Sequence, residues 1–259
     1  MPSAYAHCRF GAEMLQLMPA DVRGTAKRHR KLFDLGLHGP DPLFYYRPVI
    51  TGKGRKLGRK FHMQTGGEFF SRVCRKLRLQ PNERGQAYLY GVLCHFALDA
   101  CCHPLVTQAV GSASHMQIET EFDRFLMECD GIVPPGELHF AAHMTLKDQD
   151  WELISRFYPG TDKGIIRESV WTMAKLRSVL EMRSGPARTA LVKTLGFGSS
   201  SFRDMIMGKL PDPDCARWNQ PLLERYRQAG EAFPDMLLKL SAHLTYNAPL
   251  GEKFDPVFG

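Results

Sequence analysis

Apolar residues recur along most of this chain at intervals of three and four, the period of an α-helix. Tyr88, Val92, Leu93, Phe96 and Ala100 form one stripe, and Ile118, Phe122, Phe125 and Leu126 form a second. Ile166, Val170, Met173, Leu176 and Leu180 make a third. Leu222, Tyr226, Ala229 and Phe233 make a fourth, which Pro234 is expected to bend or end. Met14, Leu15 and Met18 predict a short first helix stopped at Pro19, and Glu68 to Leu79 predicts another after the Gly66-Gly67 break. Loops are expected at Gly39-Pro40, Gly52 to Gly58, Pro134-Pro135-Gly136, Gly196 to Ser201 and Pro211 to Pro213. No segment alternates with the two-residue period of a strand, no repeat is visible, and no stretch reads as a linker. The expected architecture is all-α, one helical domain over residues 1–259.

Composition narrows this only slightly. With 44% hydrophobic residues, 259 residues can bury one sizeable core. The most apolar stretch, Ala87 to Leu98, is too short to span a bilayer and is followed by Asp99, so no transmembrane segment is expected. The start of the chain lacks a basic stretch followed by an apolar one, so no secretory signal is expected. Seven cysteines, with no Cys-x-x-Cys pair, read as free thiols in a reducing, cytoplasmic compartment. The net charge is +7, and basic residues crowd the first third, from Lys27 through Lys53, Arg55, Lys56, Arg59 and Lys60 to Arg78. They form either a solvated face or a surface that attracts an anionic partner, such as a phospholipid headgroup or a nucleic acid.

The chemistry concentrates in His95-Phe-Ala-Leu-Asp99-Ala-Cys-Cys-His103-Pro104. Residues four apart on a helix lie about 40° apart around its axis, so His95 and Asp99 can share a cation. Pro104 biases His103 away from helical dihedrals and predicts a helix exit there. In Ser114-His115-Met-Gln117-Ile-Glu119, Ser114 and Gln117 fit a capping box, which starts a helix and sets His115 and Glu119 one turn apart. One His-x-x-x-carboxylate pair is weak, because a lone histidine is more often part of a packed core. Two pairs within 25 residues with His103 between them point to metal, and the mixed imidazole and carboxylate donors suit zinc. Asp99 sits among apolar neighbours, where an unpaired carboxylate is costly. His139 and His143 form another four-residue pair, without a carboxylate. Asp123, one turn beyond Glu119, either hydrogen-bonds a ligand histidine or makes a surface ion pair. His38 either orients a ligand or is a loop residue.

The order His-x3-Asp, His, His-x3-Glu resembles the zinc-dependent phospholipases C and the related fungal zinc single-strand nucleases. The phrases Leu-His38-Gly-Pro-Asp41 and His95-Phe-Ala-Leu-Asp99 resemble the bacterial branch of that family, and the likeness covers residues 2 to 123. Those proteins are all-helical and hold three zinc ions. The resemblance implies one site from Asp41, His62, His95 and Asp99, and a second from His103, His115 and Glu119. It implies a third from the N-terminal amine with His7, bridged by Asp99, so two to three zinc ions are expected. Pro2 would supply that amine if Met1 were removed, whereas the secreted relatives use a tryptophan. The resemblance also gives Asp41 the roles of ligand and general base. The choline pocket of the secreted relatives does not carry over, since Tyr5 and Pro42 stand near its positions. The function implied is zinc-dependent hydrolysis of an anionic phosphoester, phospholipase C-like. The alternatives are a nuclease or nucleotidase on the same metals, or a non-catalytic zinc protein. The oligomeric state is left open.

Overall fold

The structure, a computed structural model, describes residues 4–47, 52–111, 113–133, 145–180, 189–190 and 204–259. Its helices are α1 (Ala4–Leu17), α2 (Ala20–Arg28), α3 (Arg30–Gly36), α4 (Lys53–His62), α5 (Gly66–Leu79) and α6 (Glu83–Ala109). They continue as α7 (His115–Cys129), α8 (Asp148–Ser155), α9 (Lys163–Leu180), α10 (Pro213–Ala216) and α11 (Asn219–Tyr246). Short 3-10 turns lie at Asp41–Tyr45 and Glu252–Phe254. Among the described residues β-structure is limited to two isolated bridges, Thr65 with Val257 and Val110 with Ala113.

α6 is the axis of the fold. Asn82 caps its start by accepting the Gly85 N–H at 3.0 Å, and its flanks are packed by α1, α2, α3 and α11. By length and composition α6 is apolar enough to cross a membrane, longer than the stretch Ala87 to Leu98 suggests. Here 78% of its most apolar window is buried inside the protein, which explains why it is apolar on every side. One continuous cluster of buried side chains runs from Tyr5 to Phe258.

Two close approaches set the site's geometry. Gly36 on α3 faces Gly91 on α6: a Cβ at 36 would strike the Tyr88 carbonyl, and one at 91 the Phe33 carbonyl. Because both are glycine, the two backbones touch, and the turn after α3 is delivered against the middle of α6. The second approach is α4 against the Asp41–Tyr45 turn. Gly54 abuts the Leu43, Phe44 and Tyr46 carbonyls, and Gly58 lies on the Phe44 ring.

Three local expectations are corrected. The glycines from Gly52 to Gly58 mark a helix rather than a loop, because Gly54 and Gly58 share the face that must come close to Phe44. α11 runs through Pro234 to Tyr246, since buried Phe233, Met236, Leu237 and Leu240 hold it on both sides of the missing N–H. α6 likewise runs through Pro104 to Ala109. His103 therefore stays helical, eight residues along from His95 on the same face.

Candidate metal centre

Four helices and one turn bring the sequence-selected residues together. α6 contributes His95, Asp99 and His103; α7 contributes His115 and Glu119; α1 contributes His7; α4 ends in His62; the 3-10 turn begins with Asp41. Three groups emerge with donor atoms within 4.8 Å of one another: Asp41, His62 and His95; His7, His95 and Asp99; and His103, His115 and Glu119. His95 is shared by two groups, and its ring stacks on that of His7 at 4.3 Å between centroids.

Asp99 is the junction. Its Oδ2 lies 3.0 Å from His95 Nε2, while Oδ1 lies 3.2 Å from His7 Nε2 and 3.7 Å from His103 Nε2. Glu119 Oε1 lies 2.8 Å from His115 Nε2 and 3.6 Å from His103 Nε2. These separations bracket the roughly 3.3–3.5 Å that two donors show when each is about 2.0–2.1 Å from one tetrahedral zinc.

The ring nitrogens facing away from these contacts reveal what must lie between them. His62 Nδ1 is 2.8 Å from the Gly58 carbonyl, and His95 Nδ1 is 3.2 Å from the Leu37 carbonyl. A carbonyl only accepts, so each Nδ1 carries the proton and a neutral ring presents a lone pair at Nε2. Yet His62 Nε2 points at Asp41 Oδ1 from 2.9 Å, and His95 Nε2 points at Asp99 Oδ2. Lone pair and carboxylate repel unless a cation, either a second proton or a metal ion, sits between them. Both oxygens of Asp99, both ring nitrogens of His7 and His95 Nε2 are buried without a well-aligned hydrogen bond. Buried polar atoms without such a bond are costly, and a metal ion bound by these donors removes that cost.

The electrostatics run the same way. Burial alone would raise the Asp99 carboxyl, but His95, His103 and His7 hold it well below the usual range. Burial opposes Glu119 and Asp41 too. Even so, His115 and His103 bring Glu119 to about 2, and His95 and His62 lower Asp41. Burial lowers His7, and it lowers His103 to about 3. His95 goes up despite its burial, because Asp99 and Asp41 face it. Ionised carboxylates with neutral imidazoles are the donors a divalent cation takes.

The remaining selected residues lie further out. Asp123 is buried, and its two oxygens accept the Tyr5 and Ala6 N–H groups at 2.8 Å each, so it caps α1 and reaches the site through the helix that carries His7. His38 is buried, and its carbonyl accepts the Asp41 N–H at 3.0 Å, which fixes the turn. Gly39 follows with φ of +48°, and a Cβ there would overlap the His95 ring. Pro2 and the pair His139 and His143 lie outside the described residues. Cys102 is a buried thiol, raised by burial.

Sequence reasoning missed the residues that meet the candidate donors through their backbones: Leu37, Gly58 and the segment ending at Gly259. Backbone carbonyls leave no residue-type signal. The only hint was the Gly54-x-x-x-Gly58 spacing, which permits close helix approach.

The chain belongs to the zinc-dependent phospholipase C family: the family's model, described as zinc dependent phospholipase C, matches residues 6–168. That span contains His7, Asp41, His62, His95, Asp99, His103, His115 and Glu119, and it ends before α10, α11 and the final turn. No curated protein and no solved structure matches the chain significantly.

Proposed function

We propose that this protein hydrolyses phosphoester bonds in the manner of a phospholipase C, with two to three zinc ions on the donors described. Asp41, His62 and His95 would hold one ion, His103, His115 and Glu119 a second, and His7 with Asp99 a third. The observation that carries the reading is the pair His62 and His95, whose Nδ1 atoms face backbone carbonyls and whose Nε2 atoms face buried carboxylates. When bound, zinc supplies Lewis acidity, making hydroxide available from water near neutral pH and offsetting charge on the phosphoryl group. Gly58 and Leu37 fix the tautomers of His62 and His95, while Asp99 balances positive charge at the centre. Asp41 is the proposed proton acceptor for the attacking water. Its lowered pKa makes it a weak base at neutral pH, so its role as ligand weighs more.

Access favours catalysis over a sealed structural site. The His115 side chain is 34% exposed, whereas those of Asp99 and Glu119 are 0% and 1% exposed, so an incoming phosphoester meets the His115 side first. An open coordination position is what separates catalytic from structural zinc.

A nuclease or nucleotidase is the second reading, and one observation keeps it open. The exposed face of α4 carries Arg55, Lys56 and Arg59 with no acidic residue in the helix. Such a face attracts a polyanion as readily as an anionic lipid surface. Free thiols at all the cysteines fit the proposed cytoplasmic location. The test is elemental analysis of the purified protein, followed by parallel assays on phospholipid vesicles, single-stranded DNA and nucleotides. Headgroup release from lipid with silence on the other two supports the phospholipase reading. Cleavage of nucleic acid alone replaces it with the second. Absence of bound metal overturns both.

A further inference from the structure

Residues beyond the family-matched span return to the metal centre. After the 3-10 turn at Glu252–Phe254, the chain runs beside the segment that joins α4 to α5. The Gly66 N–H donates to the Pro256 carbonyl at 2.9 Å, Thr65 and Val257 form an antiparallel bridge, and the Phe258 N–H donates to the Gln64 carbonyl at 3.3 Å. Finally the Gly259 N–H donates to the His62 carbonyl at 3.3 Å. These four points step along the chain toward a site residue, and the last one is made to it.

Two side-chain relationships complete the picture. Phe258 is fully buried among Phe69, Phe70 and Phe96, and its ring lies parallel to His95 within 29°, at 6.2 Å between centroids. Gly259 lies so close to His103 that a Cβ there would overlap the edge of the imidazole at Nδ1 and Cε1. That edge ends at Cε1, the carbon bonded to Nε2, and Nε2 is the nitrogen directed at Asp99 and Glu119. One short segment thus meets three site histidines: His62 by its backbone, His95 by its ring face, and His103 by its Nδ1–Cε1 edge.

We propose that Phe258 and Gly259 are positioning residues: they form a clamp that fixes His62, His95 and His103 in register and so sets the spacing of the metal groups. The proposal rests on the metal reading above and adds what that reading lacks, a support for His103 and His62 from outside the family-matched span. Ligating histidines are generally oriented by a partner at the second ring nitrogen, and loss of such partners typically weakens metal binding about 10–100-fold. Phe254 provides the internal comparison. It is buried in the same aromatic cluster, stacked on Phe96 at 5.9 Å and edge-on to Phe70 at 5.3 Å, but its ring makes no contact with a site histidine.

The experiment loads the metal-free protein with cobalt(II), whose visible absorption reports ligand geometry, and measures its affinity alongside thermal unfolding. Gly259→Val and Phe258→Ala are expected to change the visible spectrum and weaken at least one cobalt site about tenfold or more. Phe258→Leu is expected to restore the spectrum in part. Phe254→Ala is expected to lower the melting temperature as much as Phe258→Ala while keeping the wild-type spectrum. Should Phe258→Ala not fold, Gly259→Val and Phe258→Leu decide the matter. Wild-type spectra and affinities in Gly259→Val and Phe258→Leu overturn the clamp, as does an equal disturbance from Phe254→Ala. Wild-type protein that takes up no cobalt overturns the metal reading, and the clamp with it.

Discussion

The carboxylate of Asp123 accepts the Tyr5 N–H at 2.8 Å across 118 residues of sequence, and so ties the start of α1 to the middle of α7. A helix start leaves several N–H groups without partners inside the helix, and a buried carboxylate both satisfies them and suits the positive end of the dipole. His7 lies on the first turns of α1. Asp123→Asn retains the shape but loses charge and one acceptor, and is expected to destabilise the protein by about 1.5–3 kcal/mol, the range for hydrogen bonds to charged groups. It should also reduce metal at the His7 group before the others. Denaturant unfolding and elemental analysis measure both, and an unchanged midpoint would remove Asp123 from this role.

Asp99 touches three histidines that between them belong to all three groups, so its charge matters more than its shape. Asp99→Asn is expected to lose more than one metal equivalent and to lower phosphoesterase activity at least about 100-fold, the upper end of what supporting residues alone cost. His29→Gln, a change at a partly exposed histidine paired with Glu83, is expected to leave both within error. Equal effects from the two substitutions would contradict the assignment of Asp99 as the junction.

Metal that binds only the folded chain stabilises it by mass action, by about 4 kcal/mol at a thousandfold excess over the dissociation constant. For a chain of this size that corresponds to roughly 10 °C in melting temperature. Prolonged dialysis against a strong chelator is therefore expected to lower Tm by about that amount, and added zinc to restore it. A melting curve indifferent to both treatments would mean that the donors hold no ion.

In the metal-free protein the histidines make stability depend on pH. Burial lowers His7, and it lowers His103 to about 3, whereas both titrate near about 6.5 when unfolded. Between those values the unfolded chain binds more protons, so this stability is present above about pH 6.5 and lost as pH falls through the folded values. His95, raised by Asp99 and Asp41, acts in the opposite sense and only as pH rises above the unfolded value. Glu119, lowered to about 2, adds a further loss below the ordinary carboxylate range. Unfolding near pH 5 is thus expected to take up protons, about one of them at His103 and more from His7, read from the slope of stability against pH. A flat profile between pH 7 and 4.5 would show that these rings are not buried neutral.

The sequence exposed the helices and most of the donors because both follow local rules. The capping box forms as Ser114 and Gln117 predict, with the Gln117 N–H donated to Ser114 Oγ at 3.2 Å and the Ser114 N–H to Gln117 Oε1 at 2.8 Å. His95 with Asp99 and His115 with Glu119 meet because helical spacing brings them together. Asp41 and His62 were accessible only by resemblance, since no local pattern joins a turn residue to the end of α4. The proline at 104 misled because a proline's preference is local, while α6 is held by packing along its whole length. The capping role of Asp123 and the approach of Gly259 to His103 depend on contacts between distant parts of the chain, which spacing does not record.

The contact between Gly36 and Gly91 makes part of the site's precision a matter of clearance. A single methyl group at either position would act as a shim, prising α3 from α6 by the width of a carbon atom. α3 leads directly into His38, Gly39 and Asp41, so the shim would lift Asp41 away from His95 while every donor kept its identity. A chain altered in this way would read as intact by residue type yet be misaligned at its centre. Gly91→Ala therefore belongs among the lesions of the site, although no polar atom of that residue comes near it.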